Sequence, residues 1–263
     1  MSWLLAAIGT GGGNPAYRVS GQQAARPDYG SVEGTISYMG DVPRLTVADD
    51  DGRRRPLLTV AAKTGGLQYA VVYLEAEPLA LSEAGGKLRS PPPPSRGAHG
   101  SGIGPSTKSP EPPPVVIDQK DHTFVPHLVA IEAGRSIKFT NSDIINHNVR
   151  AISLTPGNEF NVYTGAGGGY LHRFDVDRRD RPVMLGCDIH PWMRGWIYIF
   201  NHPFFDVSDH RGAYRISNVP PGRYRLVVRQ PRGGLSRRHN VRVEKGKVTR
   251  QDVRFKASDL SVD

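Results

Sequence analysis

Gly186-Cys187-Asp188-Ile189-His190-Pro191-Trp192-Met193-Arg194-Gly195 carries a thiol, an imidazole and a thioether within seven residues. Forty positions before the cysteine, Asn146-His147-Asn148-Val149 supplies a second imidazole. One thiolate, two imidazoles and one long-bonded thioether make up the donor set of a mononuclear blue-copper centre. Cys187 is the only cysteine in 263 residues. That excludes a disulfide, a zinc ribbon and a binuclear copper centre with two bridging thiolates.

The surroundings of these residues read as strands. Arg181-Pro182-Val183-Met184-Leu185-Gly186 leads into the cysteine, and Gly195-Trp196-Ile197-Tyr198-Ile199-Phe200 leaves the loop. Upstream come Val115-Val116-Ile117, the stretch from Phe124 to Ile131, the Ala133-Gly134 turn, and the alternating Ser136-Ile137-Lys138-Phe139. Both ligand clusters therefore lie on loops at strand ends, which converge at one end of a β-sandwich. A shared ion bound through bonds of ~2.0–2.3 Å requires the His147 ring within about 5 Å of the Cys187 sulfur. The soft sulfurs favour Cu(I), while the imidazoles suit both oxidation states. Asn148 is placed to tie the histidine loop to the cysteine loop, and Pro191 removes one N–H that would compete for the sulfur.

Composition points the same way. Thirty glycines and 22 prolines punctuate short Val/Ile/Tyr/Phe runs, and no long stretch has helical spacing, so the fold class is all-β. No apolar run approaches the ~20 residues of a membrane span. Residues 1–28 read as a tail or the remnant of an export signal around Trp3–Ile8. Residues 29–77 open a sandwich with Gly30–Gly40 and Ala70-Val71-Val72-Tyr73-Leu74, and residues 78–114 are a Pro/Gly/Ser-rich insert. The ligand-bearing domain spans 115–202. Residues 203–257 supply the Tyr214/Ile216 strand, the Pro220-Pro221-Gly222 turn and the Tyr224/Leu226/Val228 strand. Each flank alone has too few strands to stand by itself, so 29–77 and 203–257 are expected to form one discontinuous sandwich.

Between Arg211 and Lys256, fourteen Arg and Lys face only Glu244 and Asp252, in a chain of net charge +9. Without aromatic interleaving or a nucleic-acid motif this reads as a solvated face, able to steer an acidic partner but not nucleic acid. Gly165-Ala166-Gly167-Gly168-Gly169 lacks the Lys-Ser/Thr of a phosphate loop and reads as a flexible or tight loop beside the site. No His-x-His pair and no G-x-S-x-G motif occur, so no catalytic centre is expected. His122, His127, His172, His202 and His210 read as structural.

Two family resemblances follow from these residues. Cys187 to Gly195, with His147-Asn148-Val149 and the approach Phe124-Val125-Pro126 and Ile137-Lys138-Phe139-Thr140-Asn141, resembles the cupredoxins of the amicyanin and plastocyanin-like branch. Val32-Glu33-Gly34-Thr35-Ile36, Val207 to Tyr214 and Val219 to Tyr224 resemble the carboxypeptidase regulatory-like, or transthyretin-like, domain. The whole order is similar to bacterial methylamine-utilisation-like proteins. The resemblances imply a Greek-key cupredoxin sandwich plus a small transthyretin-like sandwich. They also imply one type 1 copper on His147, Cys187 and His190 with Met193 axial. The expected role is electron transfer in the periplasm, through an exposed His190 edge, with a cytochrome c or a quinoprotein dehydrogenase as partner. Copper handling without redox traffic, or a metal-stapled structural module, are the competing expectations.

Overall fold

A computed structural model describes residues 28–76, 112–176 and 181–261. The expected tail, apart from Asp28, and the expected insert, apart from 112–114, lie outside the described residues. In chain order the strands are β1 (Gly30–Met39), β2 (Val71–Ala76), β3 (Val115–Lys120), β4 (Thr123–Val125), β5 (Leu128–Glu132), β6 (Ser136–Asn141), β7 (His147–Ile152), β8 (Phe160–Thr164) and β9 (Gly169–Arg173). They continue with β10 (Val183–Gly186), β11 (Arg194–Phe200), β12 (Phe205–Val207), β13 (Ala213–Val219), β14 (Gly222–Gln230), β15 (Leu235–Val243), β16 (Val248–Arg250) and β17 (Val253–Lys256). The described residues are all-β, with short 3-10 turns the only helical pieces.

Four sheets result. One has the order β13-β1-β16, with β17 also on β1, and a second runs β12-β2-β14-β15. The remaining two, β5-β11-β10-β7-β8 and β4-β3-β6-β9, are built entirely from residues 115–200. Chain from before and after the ligand-bearing segment shares the first two sheets: Gly34 pairs with Tyr214 in one, and Leu74 with Leu226 in the other.

The side chains explain how the layers stack. Strand residues point alternately to opposite faces, so a strand apolar at every position buries both faces. In β2, Val72 and Leu74 enter a core with Ile36, Leu67, Tyr214, Leu226 and Phe255. Val71 and Tyr73 enter another, with Leu128, Ala130, Tyr198, Phe200 and Phe205. β5 behaves likewise: Val129 and Ile131 turn to a third core with Phe124, Phe139, Phe174 and Ile197, while Leu128 and Ala130 face β2. Two sandwiches are thus fused face to face. The joint contains Tyr73 against Phe200 (ring centroids 5.0 Å apart) and Phe200 stacked on Phe205 (4.7 Å). Each such side chain contributes roughly 1.5–3 kcal/mol on burial.

The stretch from Phe124 to Ile131 divides between two strands: β4 pairs with β3 and β5 with β11, in different sheets. The chain changes sheet at Pro126, which cannot donate to a ladder.

Gly212 closes the Asp209–Gly212 turn at φ +78°, and a Cβ there would lie 2.1 Å from Ile36 O. The carbonyl of Gly212 meanwhile accepts the Ile36 N–H. Gly212→Ala is expected to cost well above the ~1–2 kcal/mol of left-handed backbone alone. Gly52→Ala, at φ +72° with open space around it, should cost no more than that. Denaturant unfolding of both variants measures the difference.

Candidate metal centre

Strand register brings the two ligand loops together. β10 runs antiparallel to β7 with Leu185 opposite Ala151 and Gly186 opposite Arg150. Continuing that ladder carries Cys187 and Asp188 toward Val149 and Asn148, beside His147. The contact is real: Asn148 Oδ1 accepts the Asp188 N–H at 2.7 Å and lies 3.3 Å from Cys187 Sγ. Asp188 in turn accepts from Asn148 (3.1 Å), Asn161 (2.9 Å) and Arg150 (3.2 Å). The Asn161 and Arg150 donors hold its carboxyl below the usual carboxylate range.

Three donor atoms meet inside this frame. His147 Nδ1 and His190 Nδ1 are 2.9 Å apart. Cys187 Sγ lies 3.9 Å from the first and 3.7 Å from the second. All three residues are buried. Met193 is buried in the same core cluster as Cys187 and Trp192, and its N–H closes a turn onto His190 O at 2.9 Å. Burial first, then the neighbouring His147, pushes the His190 imidazole below its ordinary pKa. It is therefore neutral at pH 7 and offers a lone pair, as a metal ligand must.

Beneath the donors is a second set of polar side chains. His147 Nε2 is 2.8 Å from Asp143 Oδ2, which fixes the ring with Nδ1 facing the thiol. Asp143 also accepts the N–H groups of Asp121 (2.7 Å) and His122 (3.0 Å). Burial alone would raise its carboxyl; the His122, His147 and Asp121 donors together outweigh that and hold it low. Gln119 is fully buried, donating to Asn148 O at 3.1 Å and accepting from Thr164 Oγ1. Asn141 donates to Ile145 O and Thr164 O, bracing the loop that carries Asp143. The Gly165–Gly169 run is the tight turn from β8 to β9, bonded back to Asn141 O through Gly167 N–H.

The donor set suits copper. Two imidazoles and one thiol face a common point, a thioether residue is buried in the same core cluster as the cysteine, and polar neighbours hold their orientation.

His190 differs from the sequence expectation of an exposed edge. It is only 6% exposed, because the other sandwich covers it. Asp50, in the turn between β1 and β2, places Oδ2 3.4 Å from His190 Nε2. Arg55 carries that turn across, bonding Asp49 Oδ2 (3.1 Å) and Asp121 O (2.9 Å). From the opposite flank Arg232 donates to Trp192 O at 3.3 Å, and Trp192 Nε1 donates to His122 O at 3.2 Å. In the sequence Asp50 and Arg55 carry no signal of this role, and Arg232 stands out there only as one of the fourteen basic residues between Arg211 and Lys256.

The other histidines separate cleanly. His127 packs on Tyr69 (3.9 Å between centroids) and beside Trp196, where burial and the Arg232 cation push its pKa down to about 3. His172 bonds Gly157 O at 3.0 Å and His202 Nδ1 accepts the Phe204 N–H. His122 alone among them leans over the centre, its ring 5.3 Å from His190 and 6.0 Å from His147.

Comparison with known proteins gives partial matches. Residues 203–256 match the carboxypeptidase regulatory-like domain. No curated protein sequence matches the chain. Among solved structures, the copper-containing nitrite reductase of Thermus scotoductus SA-01 is similar at 25% identity and TM-score 0.31, over 34% of this chain. The match spans 23% of the reductase's own length. A reduced amicyanin with a proline-to-phenylalanine change is similar at 18% identity and TM-score 0.29, covering 33% of this chain and 82% of amicyanin. A reduced tryptophan-to-tyrosine amicyanin variant gives the same figures.

Replacing Asp143 with Ala removes the partner that orients His147. Copper affinity is expected to fall about 10–100-fold, read by competition against a chromophoric chelator. Unchanged affinity would mean that Asp143 serves only the 121–122 turn.

Proposed function

We propose that this protein is a non-enzymatic electron carrier holding one type 1 copper on His147, Cys187 and His190, with Met193 as the axial residue. The observation that carries the reading is the convergence of His147 Nδ1, Cys187 Sγ and His190 Nδ1 within 3.9 Å of one another in a buried pocket. Copper in such a set supplies a one-electron couple between Cu(I) and Cu(II).

The chain's own residues do the rest. Asp143 and the Asn148–Asp188 network hold the donors in one arrangement, so little has to move when charge changes. Core packing around Cys187, Trp192 and Met193 keeps water from the sulfurs. Electrons leave on the His190 side, through the cover formed by Asp50 and His122. Ile144 and Ile189, both on ligand-bearing loops, are 95% and 50% exposed and give a docking partner apolar contact. The partner is a redox protein such as a cytochrome c or a quinoprotein dehydrogenase. Arginines of β14 and β15, including Arg223, Arg238 and Arg242 on exposed positions, steer an acidic one. The setting is extracytoplasmic, the periplasm of a bacterium.

Cu(II)-loaded protein is expected to show intense thiolate-to-copper visible absorption and a reversible potential. Cys187→Ser should abolish the absorption, and Met193→Gln should keep it while shifting the potential. A wild-type protein that binds copper without that absorption would overturn the reading. One that holds Cu(I) but cannot be oxidised reversibly would point to copper handling instead.

A further inference from the structure

We infer a second metal site, next to the blue-copper set and sharing His190 with it, formed by Asp50, His122 and the outer nitrogen of His190. It takes a divalent cation of the zinc class. His190 Nε2 lies 3.4 Å and His122 Nε2 3.7 Å from Asp50 Oδ2. One ring nitrogen from each histidine and an Asp50 oxygen all fall within 4.8 Å of one another.

The spacing is informative. A charge-assisted N–H···O bond is about 2.7–2.9 Å long, and both separations exceed it. Two ligand bonds of ~2.0–2.2 Å meeting at a tetrahedral angle span roughly 3.3–3.6 Å; the 3.4 Å separation falls inside that span and the 3.7 Å one lies about 0.1 Å beyond it. One carboxylate and two imidazoles suit Zn(II), and three protein ligands leave a fourth position for water. The side chains of Asp50 and His122 are 51% and 31% exposed, so an ion reaches them from solvent.

Each ligand is held before any ion arrives. The backbone of His122 is pinned on both sides, its N–H on Asp143 and its carbonyl under the Trp192 indole. The Asp50 turn is closed by Asp49, which bonds the Arg53 N–H at 2.8 Å. Arg55 then ties that turn to Asp121 O, one residue from His122. The ligands come from both sandwiches, and an ion here clamps one onto the other.

His190 belongs to both sets. Its Nδ1 faces Cys187 and its Nε2 faces Asp50, so one imidazole joins two ions. An ion on the outer side would be held by Nε2 while Nδ1 would remain the inner ligand. A cation at this distance from the copper ligand favours the reduced state of the inner centre.

The test is equilibrium dialysis of Zn(II) against copper-loaded protein, with metals counted by mass spectrometry. Wild type is expected to hold one zinc besides its copper. Asp50→Ala and His122→Ala should each weaken zinc binding at least tenfold while keeping the thiolate-to-copper absorption. Zinc should also raise the copper potential in wild type and not in the two variants. No zinc on the wild-type protein, or equal zinc affinity in wild type and both variants, overturns the inference. Failure of the blue-copper reading is separable, because it shows as missing thiolate absorption. In that case Co(II) added to the copper-free chain reports the outer site by bands that lack thiolate charge transfer and depend on Asp50 and His122.

Discussion

Burial of both faces of β2, β5 and β11 is the constraint from which the rest of this molecule follows. A strand with one wet face alternates apolar and polar side chains. Val71-Val72-Tyr73-Leu74 and Leu128-Val129-Ala130-Ile131 cannot, because each sends neighbouring residues into different cores. Their sheets have no stable arrangement except pressed against one another. Tyr73, Tyr198, Phe200 and Phe205 fill the joint, and sheet packing of this kind sets both spacing and angle. A sandwich attached by a linker would swing; this one is held by a shared core.

That joint fixes what covers the candidate metal centre. The Asp50 turn and Arg232 belong to the flanking sandwich, yet both touch the ligand loops of the other. Electrostatics at the seam is finely divided. Arg232 sits near Arg55 and Arg194, and burial first, then those two cations, lowers its pKa to about 10. It remains protonated at neutral pH, donating to Trp192 O. Arg55 is offset by Asp49. The seam therefore carries cations that bond carbonyls on the ligand side, and a carboxylate, Asp50, aimed at His190.

Much of this was legible in the sequence, and the missing parts share a cause. Cys187-x-x-His190-x-x-Met193 announces a chemistry through residue type and spacing alone, and so does His147 with Asn148 behind it. The double-sided strands announce themselves as apolar runs. The strands β8 and β9 do not: their faces are half exposed, with Tyr163, Leu171 and the Gly-rich turn giving no clean period. Only the partner strands show that β4 and β5 part company at Pro126. Asp50 is the extreme case. Nothing local distinguishes it from Asp49 or Asp51, and its importance arises wholly from docking between segments some seventy and 140 residues apart.

The connectivity explains why such docking is affordable. The ligand-bearing segment leaves the flanking sheet at the end of β2 and returns as β12, which pairs directly with β2: Phe205 opposite Tyr73 and Val207 opposite Val71. Exit and entry are therefore adjacent, and the inserted sandwich adds no crossing to the host's sheets. Two chain crossings side by side act as a hinge with one remaining freedom, rotation about their common line. The apolar joint between β2 and β5/β11 removes that freedom, since Leu128, Ala130 and Tyr198 can bury their faces at one angle only. Once the angle is set, the 41–66 region of the host has a single place to lie, across the His122 turn and the outer edge of His190. The cover over the centre is thus a consequence of how the two sandwiches are joined.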